Sequence, residues 1–133
     1  MFRELTNTNS REISLALVVD DDPTQRLIIS KLLKKLGLNV IVASDGIEAL
    51  EQVQSCCPAL VILDLLMPRM NGYEVCRRLK ENNRTHKPTV VIYSGQEKEF
   101  DSSQRNKPGA DAYVSKLCHP QVLINTVKKL LQS

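Results

Sequence analysis

Aromatic residues are scarce in this chain, which has no tryptophan, two phenylalanines and three tyrosines. They are not interleaved with the basic residues, and the formal net charge of +3 is small. The basic pairs at 34–35, 77–78 and 128–129 each lie inside a helix-like segment, so we interpret them as solvated helix faces. The composition therefore disfavours direct nucleic-acid binding, which usually needs clustered positive charge.

Long hydrophobic runs are also missing. The longest one is far shorter than the ~18 residues of a membrane span, and residues 1–11 are polar and contain no signal-peptide core. We therefore expect a cytoplasmic protein without a membrane span. Residues 1–13 are expected to form a flexible leader and residues 14–133 the folded domain.

The four cysteines lack C-x-x-C spacing, and the neighbours Cys56 and Cys57 cannot easily pair with each other. His86 and His119 do not stand at metal-ligand spacing from any cysteine, which disfavours a zinc site. Reduced thiols of a cytosolic protein are the expected state.

Five short apolar runs alternate with longer, helix-like segments along the 133 residues, a length that favours one domain. The runs are rich in β-branched residues and do not alternate strictly with polar ones, which is typical of parallel strands buried on both faces. The predicted strands are residues 15–19, 40–43, 60–63, 90–93 and 112–114.

Five helices are predicted between and after these strands. Asp22 can cap the first helix, with Pro23 at its first position, and Gly37 ends it. Its predicted apolar stripe consists of Leu27, Ile28, Leu32, Leu33 and Leu36. The fourth helix, over residues 96–107, is weak because Phe100 is its only large apolar residue, and we expect it to be short, mobile or partly unwound. The remaining helices are predicted at residues 47–55, at 72–80 and from 120 onward.

Alternating strands and helices give right-handed βαβ units. The predicted fold class is therefore α/β, a three-layer, doubly wound sandwich with a five-stranded parallel sheet and five helices. Ligands of such sheets bind at the carboxyl ends of the strands.

Acidic residues follow two of the predicted strands. Asp20-Asp21-Asp22 ends the first strand, and Asp64 ends the third. Because carboxylates this close repel one another, the pattern indicates a hard divalent cation: Mg²⁺, with Mn²⁺ as the alternative. Asp21 and Asp64 could ligate it directly, and Asp20 could act through a water molecule.

Asp64 has two possible roles, as a metal ligand and as a nucleophile that holds a phosphoryl group. Lys116 could neutralise the charge of that group, and Ser94 could donate a hydroxyl hydrogen bond to it. Each residue alone has an ordinary explanation, such as a turn, a helix cap or a solvated lysine. Together, however, these residues follow four strands of one predicted sheet. Separate ordinary explanations would then require a coincidence.

Several motifs resemble one known family, the receiver domain of two-component response regulators. The matching segments are residues 18–23, 43–50, 64–72, 94–95 and 109–116. The resemblance runs from about residue 14 to the end of the chain. It implies the strand order 2-1-3-4-5 and a Mg²⁺-dependent signalling protein of the phosphorelay type.

The resemblance also implies roles for individual residues. Asp64 would accept a phosphoryl group from a sensor histidine kinase or a histidine phosphotransfer protein. Asp20 and Asp21 would be the acidic pair that binds the metal, with the backbone carbonyl of Leu66 as a further ligand. Lys116 would be the charge partner of the phosphoryl group.

Two further residues would form a switch. Ser94 would move toward the phosphoryl group, and Tyr113 would then turn inward. The change would bias a surface made by the fourth helix, fifth strand and fifth helix, and so signal to a downstream output protein or domain.

The chain departs from the family at two positions that matter. Leu117 stands where the family usually has a proline in a cis bond, so the Lys116–Leu117 bond is either trans, with a shifted loop, or strained at a cost of about 3 kcal/mol. Leu66 stands where the family often has a polar side chain that places the hydrolytic water. We therefore expect slow autodephosphorylation.

Three functions remain open on these grounds. The first is a phosphorylation-controlled switch, which catalyses its own phosphorylation but is not a turnover enzyme. The second is a pseudo-receiver, an interaction module that never carries phosphate, which the Leu117 departure weakly favours. The third is a phosphatase with an aspartyl intermediate; such enzymes usually carry a second carboxylate two residues after the nucleophile, where this chain has Leu66.

Overall fold

Five apolar runs form the five strands of a single sheet. The computed structural model describes residues 14–67, 71–81, 87–95 and 109–132. Strands β1 to β5 span Leu15–Val19, Asn39–Ala43, Leu60–Leu63, Thr89–Ser94 and Ala112–Ser115. Helices α1 to α4 span Pro23–Lys35, Gly46–Cys56, Gly72–Glu81 and Pro120–Gln132. The helix predicted over residues 96–107 lies outside the described residues.

The sheet is parallel throughout and has the order β2-β1-β3-β4-β5. This confirms the predicted fold class and strand order. The order reverses between β1 and β3, whose Val19 and Leu63 are register partners at the carboxyl ends of the two strands. A doubly wound sheet binds its ligands at such a point, because the loops after the two strands diverge there.

Two apolar clusters lie on opposite faces of the sheet because strand side chains alternate between the faces. Leu17, Leu63 and Ile92 belong to the cluster covered by α2 and α3. Val18 and Ile62 belong to the cluster covered by α1 and α4. The central strand β3 is fully buried, which explains why it reads as a continuous apolar run.

Polar side chains begin the helices next to the strand ends. The Asp22 carboxylate accepts a hydrogen bond from the Thr24 N–H at 3.0 Å and caps α1, as predicted. Asp45 caps α2 by accepting from the Glu48 N–H at 2.9 Å. These caps stabilise helix starts that face the carboxyl edge of the sheet.

The predicted apolar stripe of α1 is wrong in part. Leu33 is buried, but Leu27 and Ile28 are 56% and 45% exposed. Ile29 and Ser30 are buried instead. The reason is geometric: Ile29 and Leu33 are four residues apart and share the face that packs on the sheet, and this places residues 27 and 28 toward solvent.

None of the four described helices combines the length and the apolar character that crossing a membrane requires.

Candidate functional site

Two strand ends place the acidic residues side by side. The Asp64 N–H donates to the carbonyl of Val19 at 3.0 Å, so the ladder between β1 and β3 continues up to Asp64. The Asp20 N–H donates to the carbonyl of Ala43 at 3.2 Å, which continues the ladder between β1 and β2. Parallel strands thus bring the two carboxylates to the same edge of the sheet.

Three carboxylates form one cluster at this edge. One oxygen of each of Asp20, Asp21 and Asp64 lies within 4.8 Å of the others. Asp20 and Asp64 are 2% and 8% exposed, and Asp21 is open to solvent. The cluster therefore has a buried base and one accessible side.

Asp20 is fixed by hydrogen bonds on all sides. Its Oδ1 accepts from the Asp22 N–H at 3.0 Å, and its Oδ2 accepts from the Lys116 ammonium at 2.9 Å. Its backbone carbonyl accepts from the Arg26 guanidinium at 2.8 Å. Both carboxylate oxygens of Asp20 are thus already engaged within the protein.

Lys116 brings a positive charge to the cluster from the far side of β4. Its backbone N–H donates to the Ser94 carbonyl at 2.8 Å, and its Nζ lies 3.8 Å from Asp64 Oδ1. The described residues contain no cis peptide bond, so the Lys116–Leu117 bond is trans. The trans bond does not prevent Lys116 from reaching both Asp20 and Asp64.

Burial opposes charge at this site. Burial raises the pKa of Asp64 to about 6. The Lys116 ammonium lowers this pKa, and the Asp20 carboxylate raises it further. Burial also opposes the positive charge of Lys116, but its hydrogen bond to Asp20 and the charge of Asp64 outweigh this, so the pKa of Lys116 is raised. At neutral pH the buried Asp64 is thus still mainly a carboxylate, while Lys116 carries its positive charge.

The donor set fits a hard divalent cation. Carboxylate oxygens are preferred ligands of Mg²⁺, and this cluster contains neither sulfur nor imidazole. Among the described residues, the Lys116 ammonium contacts two of the three carboxylates and the Arg26 guanidinium binds the Asp20 carbonyl, so negative charge still exceeds positive charge. A bound dication would supply it and favour the ionised form of Asp64.

The remaining predicted residues lie around the cluster. Ser94 ends β4 and is 1% exposed. Tyr113 is paired with Ile92 in the sheet and packs against the cluster on the α2 and α3 face. The Leu66 N–H hydrogen bonds to the Asp64 carboxylate, and the Leu66 side chain is 52% exposed. The metal-ligand role of the Leu66 carbonyl and the switch roles of Ser94 and Tyr113 stay predictions.

Two residues of the site had no assigned role in the sequence analysis. Gly72 begins α3, and a Cβ there would overlap the Asp64 carbonyl oxygen and lie 2.7 Å from Leu65 Cα. Tyr93 lies beneath Lys116, whose Nζ is 5.9 Å from the ring centroid. The position of Gly72 at a predicted helix start was a usable sign of a close backbone contact. Tyr93 is a single tyrosine inside an apolar strand, and the sequence gave no sign of its contact with Lys116.

Comparison with known proteins identifies the family. The family model described as the response regulator receiver domain matches residues 16–128. This chain belongs to the response regulator receiver domain family. The receiver domain fold and the predicted family are therefore confirmed.

Relatives of this receiver domain differ in length. Protein PilG of Pseudomonas aeruginosa is 33% identical over 112 residues, which cover 84% of this chain and 83% of PilG. The alkaline phosphatase synthesis transcriptional regulatory protein PhoP of Bacillus subtilis is 33% identical over 116 residues, which cover 87% of this chain. The matched region spans 48% of PhoP, about half of that protein.

A solved structure supports the same assignment. The response regulator protein TrrA from Thermotoga maritima, crystallised in complex with Mg²⁺-BeF, is 31% identical and superposes with a TM-score of 0.79. The match covers 88% of this chain and 98% of that one.

Proposed function

We propose that this receiver domain is a phosphorylation-controlled signalling switch with Asp64 as the phosphoryl acceptor. One observation carries the proposal: a buried, ionisable Asp64 lies in a three-carboxylate cluster with the Lys116 ammonium 3.8 Å from its Oδ1. This combination of a carboxylate nucleophile, cation ligands and a fixed positive charge suits phosphoryl transfer, which depends on positioning and charge neutralisation.

The transfer forms one bond and breaks one. An oxygen of the ionised Asp64 attacks the phosphorus of a phosphohistidine on the donor protein. The P–N bond breaks, and the electron pair stays on the imidazole nitrogen, which then takes up a proton. Lys116 neutralises negative charge on the phosphoryl oxygens, and Ser94 donates a hydrogen bond to one of them.

Asp21, Asp64 and the Leu66 carbonyl are the proposed metal ligands. Mg²⁺ or Mn²⁺ held there would supply further charge neutralisation for the phosphoryl oxygens. Asp20 is proposed to act through water, since both of its carboxylate oxygens already accept hydrogen bonds from the protein. TrrA was crystallised in complex with Mg²⁺-BeF, which supports the proposal that this receiver domain also binds a cation.

The output is proposed to run through Ser94 and Tyr113. Both side chains belong to neighbouring strands on the same face of the sheet, because Tyr113 is the register partner of Ile92, two residues before Ser94. A shift of Ser94 toward a phosphoryl group on Asp64 would open space for the half-buried Tyr113 ring. The proposed partners are a histidine kinase or histidine phosphotransfer protein and a downstream output protein or domain.

The domain boundary at residue 14 and the cytoplasmic location are part of the same proposal. The family match begins at residue 16, close to the start of β1. The four cysteines all lie in the described part of the chain and form no disulfide bond, as is usual in a reducing compartment. The self-catalysed, single-turnover phosphorylation proposed here differs from the chemistry of a turnover enzyme.

Incubation with acetyl phosphate and Mg²⁺, followed by intact mass measurement, tests the proposal. The parent chain should gain the mass of one phosphoryl group, and Asp64→Ala should gain none. Asp45→Asn is the matched control, because Asn also caps helices well and the residue lies outside the cluster. EDTA should suppress the gain in the parent.

A parent chain that gains no mass would favour the pseudo-receiver. The main argument for that alternative was the Leu117 departure. It is weakened by a trans Lys116–Leu117 bond that leaves Lys116 in contact with Asp20.

A further inference from the structure

The turn after β5 is held by a hydrogen bond that the usual family sequence could not make. The Leu117 N–H donates to the Ser115 hydroxyl at 3.0 Å, and the Cys118 N–H donates to the Ser115 carbonyl at 3.1 Å. Proline has no N–H, so the first of these bonds depends on the leucine at position 117. Ser115 therefore fixes the backbone on the carboxyl side of Lys116. The Ser94 carbonyl fixes the backbone at Lys116 itself by accepting a hydrogen bond from the Lys116 N–H.

The Tyr93 ring supports the other end of Lys116. It is 7% exposed and packs in the cluster on the α1 and α4 face, so the core fixes its position. The Lys116 Nζ lies 5.9 Å from its centroid, within the distance at which an ammonium is attracted to an aromatic face. A lysine stem has many rotamers, and a fixed ring beside it reduces the number it samples.

We propose that Tyr93 and Ser115 are positioning residues that hold the Lys116 ammonium against Asp20 and Asp64. Ser115 sets the path of the backbone from which the side chain leaves, and Tyr93 sets where its charged end lies. Neither residue touches the phosphoryl group. This inference rests on the proposed function, in which Lys116 neutralises negative charge at Asp64.

Phosphorylation rates with saturating acetyl phosphate and Mg²⁺ test the inference. Tyr93→Leu and Ser115→Ala should each slow the phosphorylation of Asp64 by about two- to fivefold, which is the size of effect expected for one such contact. Tyr93→Phe and Ser115→Thr should stay near the parent rate, since they keep the ring and the hydroxyl. Apparent donor affinity should change little, because neither residue contacts the donor.

A double-mutant cycle separates positioning from a general structural effect. In a Lys116→Ala background, Tyr93→Leu and Ser115→Ala should change the rate by less than about 1.5-fold, since the group through which they act is gone. An equal loss in both backgrounds would mean that the substitutions act on the fold, and it would overturn the inference.

A second readout does not depend on phosphorylation. The Tyr93 ring current should shift the Lys116 side-chain signals in a ¹H–¹⁵N spectrum of the lysine ammonium groups. Tyr93→Leu should remove this shift and Tyr93→Phe should keep it. Unchanged Lys116 signals in Tyr93→Leu would overturn the inference for that residue.

The outcomes distinguish the two proposals. If the parent is phosphorylated at Asp64 and the Tyr93→Leu and Ser115→Ala variants match its rate, the inference alone is overturned. A parent that takes up no phosphoryl group overturns the proposed function and the inference together.

Discussion

Asp64 combines two properties that oppose each other. Burial raises its pKa to about 6, while the nearby Lys116 ammonium and the Leu66 N–H favour its charged form. A nucleophile benefits from this balance, because a carboxylate with few waters is ready to attack and a nearby cation keeps it ionised. When no cation is bound, the buried charge of Asp64 lowers the free energy of unfolding.

Asp64→Asn should therefore stabilise the metal-free protein at neutral pH. The folded-state pKa of about 6 exceeds the ordinary value of 3.8, so folding favours the protonated acid and the parent loses stability as pH rises between these values. The free energy of unfolding of the variant should exceed that of the parent by up to about 3 kcal/mol at about pH 7. The difference should fall below about 1 kcal/mol at about pH 4.

Urea unfolding in EDTA at both pH values measures this difference. The exposed Glu51→Gln removes a carboxylate elsewhere and should show no such pH-dependent gain. Added Mg²⁺ should stabilise the parent more than Asp64→Asn. A variant less stable than the parent at neutral pH without metal would contradict the account of Asp64 burial.

The apolar Leu66 side chain should lengthen the lifetime of the phosphorylated state, because it cannot place the water that hydrolyses the aspartyl phosphate. It is apolar and 52% exposed, two residues after Asp64, and it offers no hydrogen bond to an attacking water. Leu66→Asn should speed autodephosphorylation by roughly two- to tenfold, the value of one hydrogen bond made in the transition state. The decay of phosphorylated protein, followed by intact mass, measures the rate.

Leu66→Ala is the control for this experiment. It removes most of the leucine side chain without adding a polar group and should leave the rate closer to that of the parent. If Leu66→Asn decays no faster than the parent, Leu66 does not set the lifetime.

Residue-scale prediction from sequence succeeded where side chains sit at strand ends. Asp20, Asp21, Asp64 and Lys116 were expected at one edge, and the structure brings them together there. Tyr93 was not assigned a role, because its contact with Lys116 crosses between strands and depends on side-chain direction. No local pattern carries that information.

At the scale of elements, α3 is docked unusually close to the loop after β3. The Gly72 N–H donates to the Leu65 carbonyl at 2.9 Å, and a side chain at Gly72 would overlap the Asp64 carbonyl. The helix can therefore approach Asp64 this closely only with glycine at its first position. This contact restricts the backbone at Asp64 and Leu65.

Gly72→Ala should destabilise the protein although alanine is the better helix former. Overpacking against backbone atoms typically costs about 1–3 kcal/mol, which exceeds the gain of up to about 1 kcal/mol in helix propensity. Thermal unfolding measures the change. Gly95→Ala is the matched control, because the nearest atom to its Cβ would be Lys116 Cδ at 3.9 Å. Equal stability of the Gly72 variant and the parent would show that α3 can move away from Asp64 at little cost.

Strand boundaries were predictable because the inner strands β1, β3 and β4 are buried along nearly their whole length and therefore appear as continuous apolar runs. β1 and β3 match the predicted residues, β2 and β5 are longer than predicted by one residue at one end, and β4 is longer by one residue at each end. The face of α1 was harder to predict, since its apolar residues outnumber those that the sheet can cover. Leu27 and Ile28 therefore remain exposed, and only packing could decide between them and Ile29.

At the scale of the whole molecule, the sheet order decides which residues meet. Alternating strands and helices predict a doubly wound sheet, but many orders satisfy right-handed crossovers. The order 2-1-3-4-5 came from the family resemblance, and the structure confirms it. With β1 and β3 adjacent, the two acidic strand ends become neighbours, so the site is a consequence of topology as much as of sequence.

The central claim is that this edge of the sheet directs phosphorylation to Asp64. Borohydride reduction converts an aspartyl phosphate to homoserine, so peptide mapping after phosphorylation with acetyl phosphate and reduction identifies the acceptor directly. We expect homoserine at position 64, with none at positions 20 and 21, and none anywhere without Mg²⁺. Homoserine at a different aspartate, or its absence from phosphorylated protein, would contradict the account.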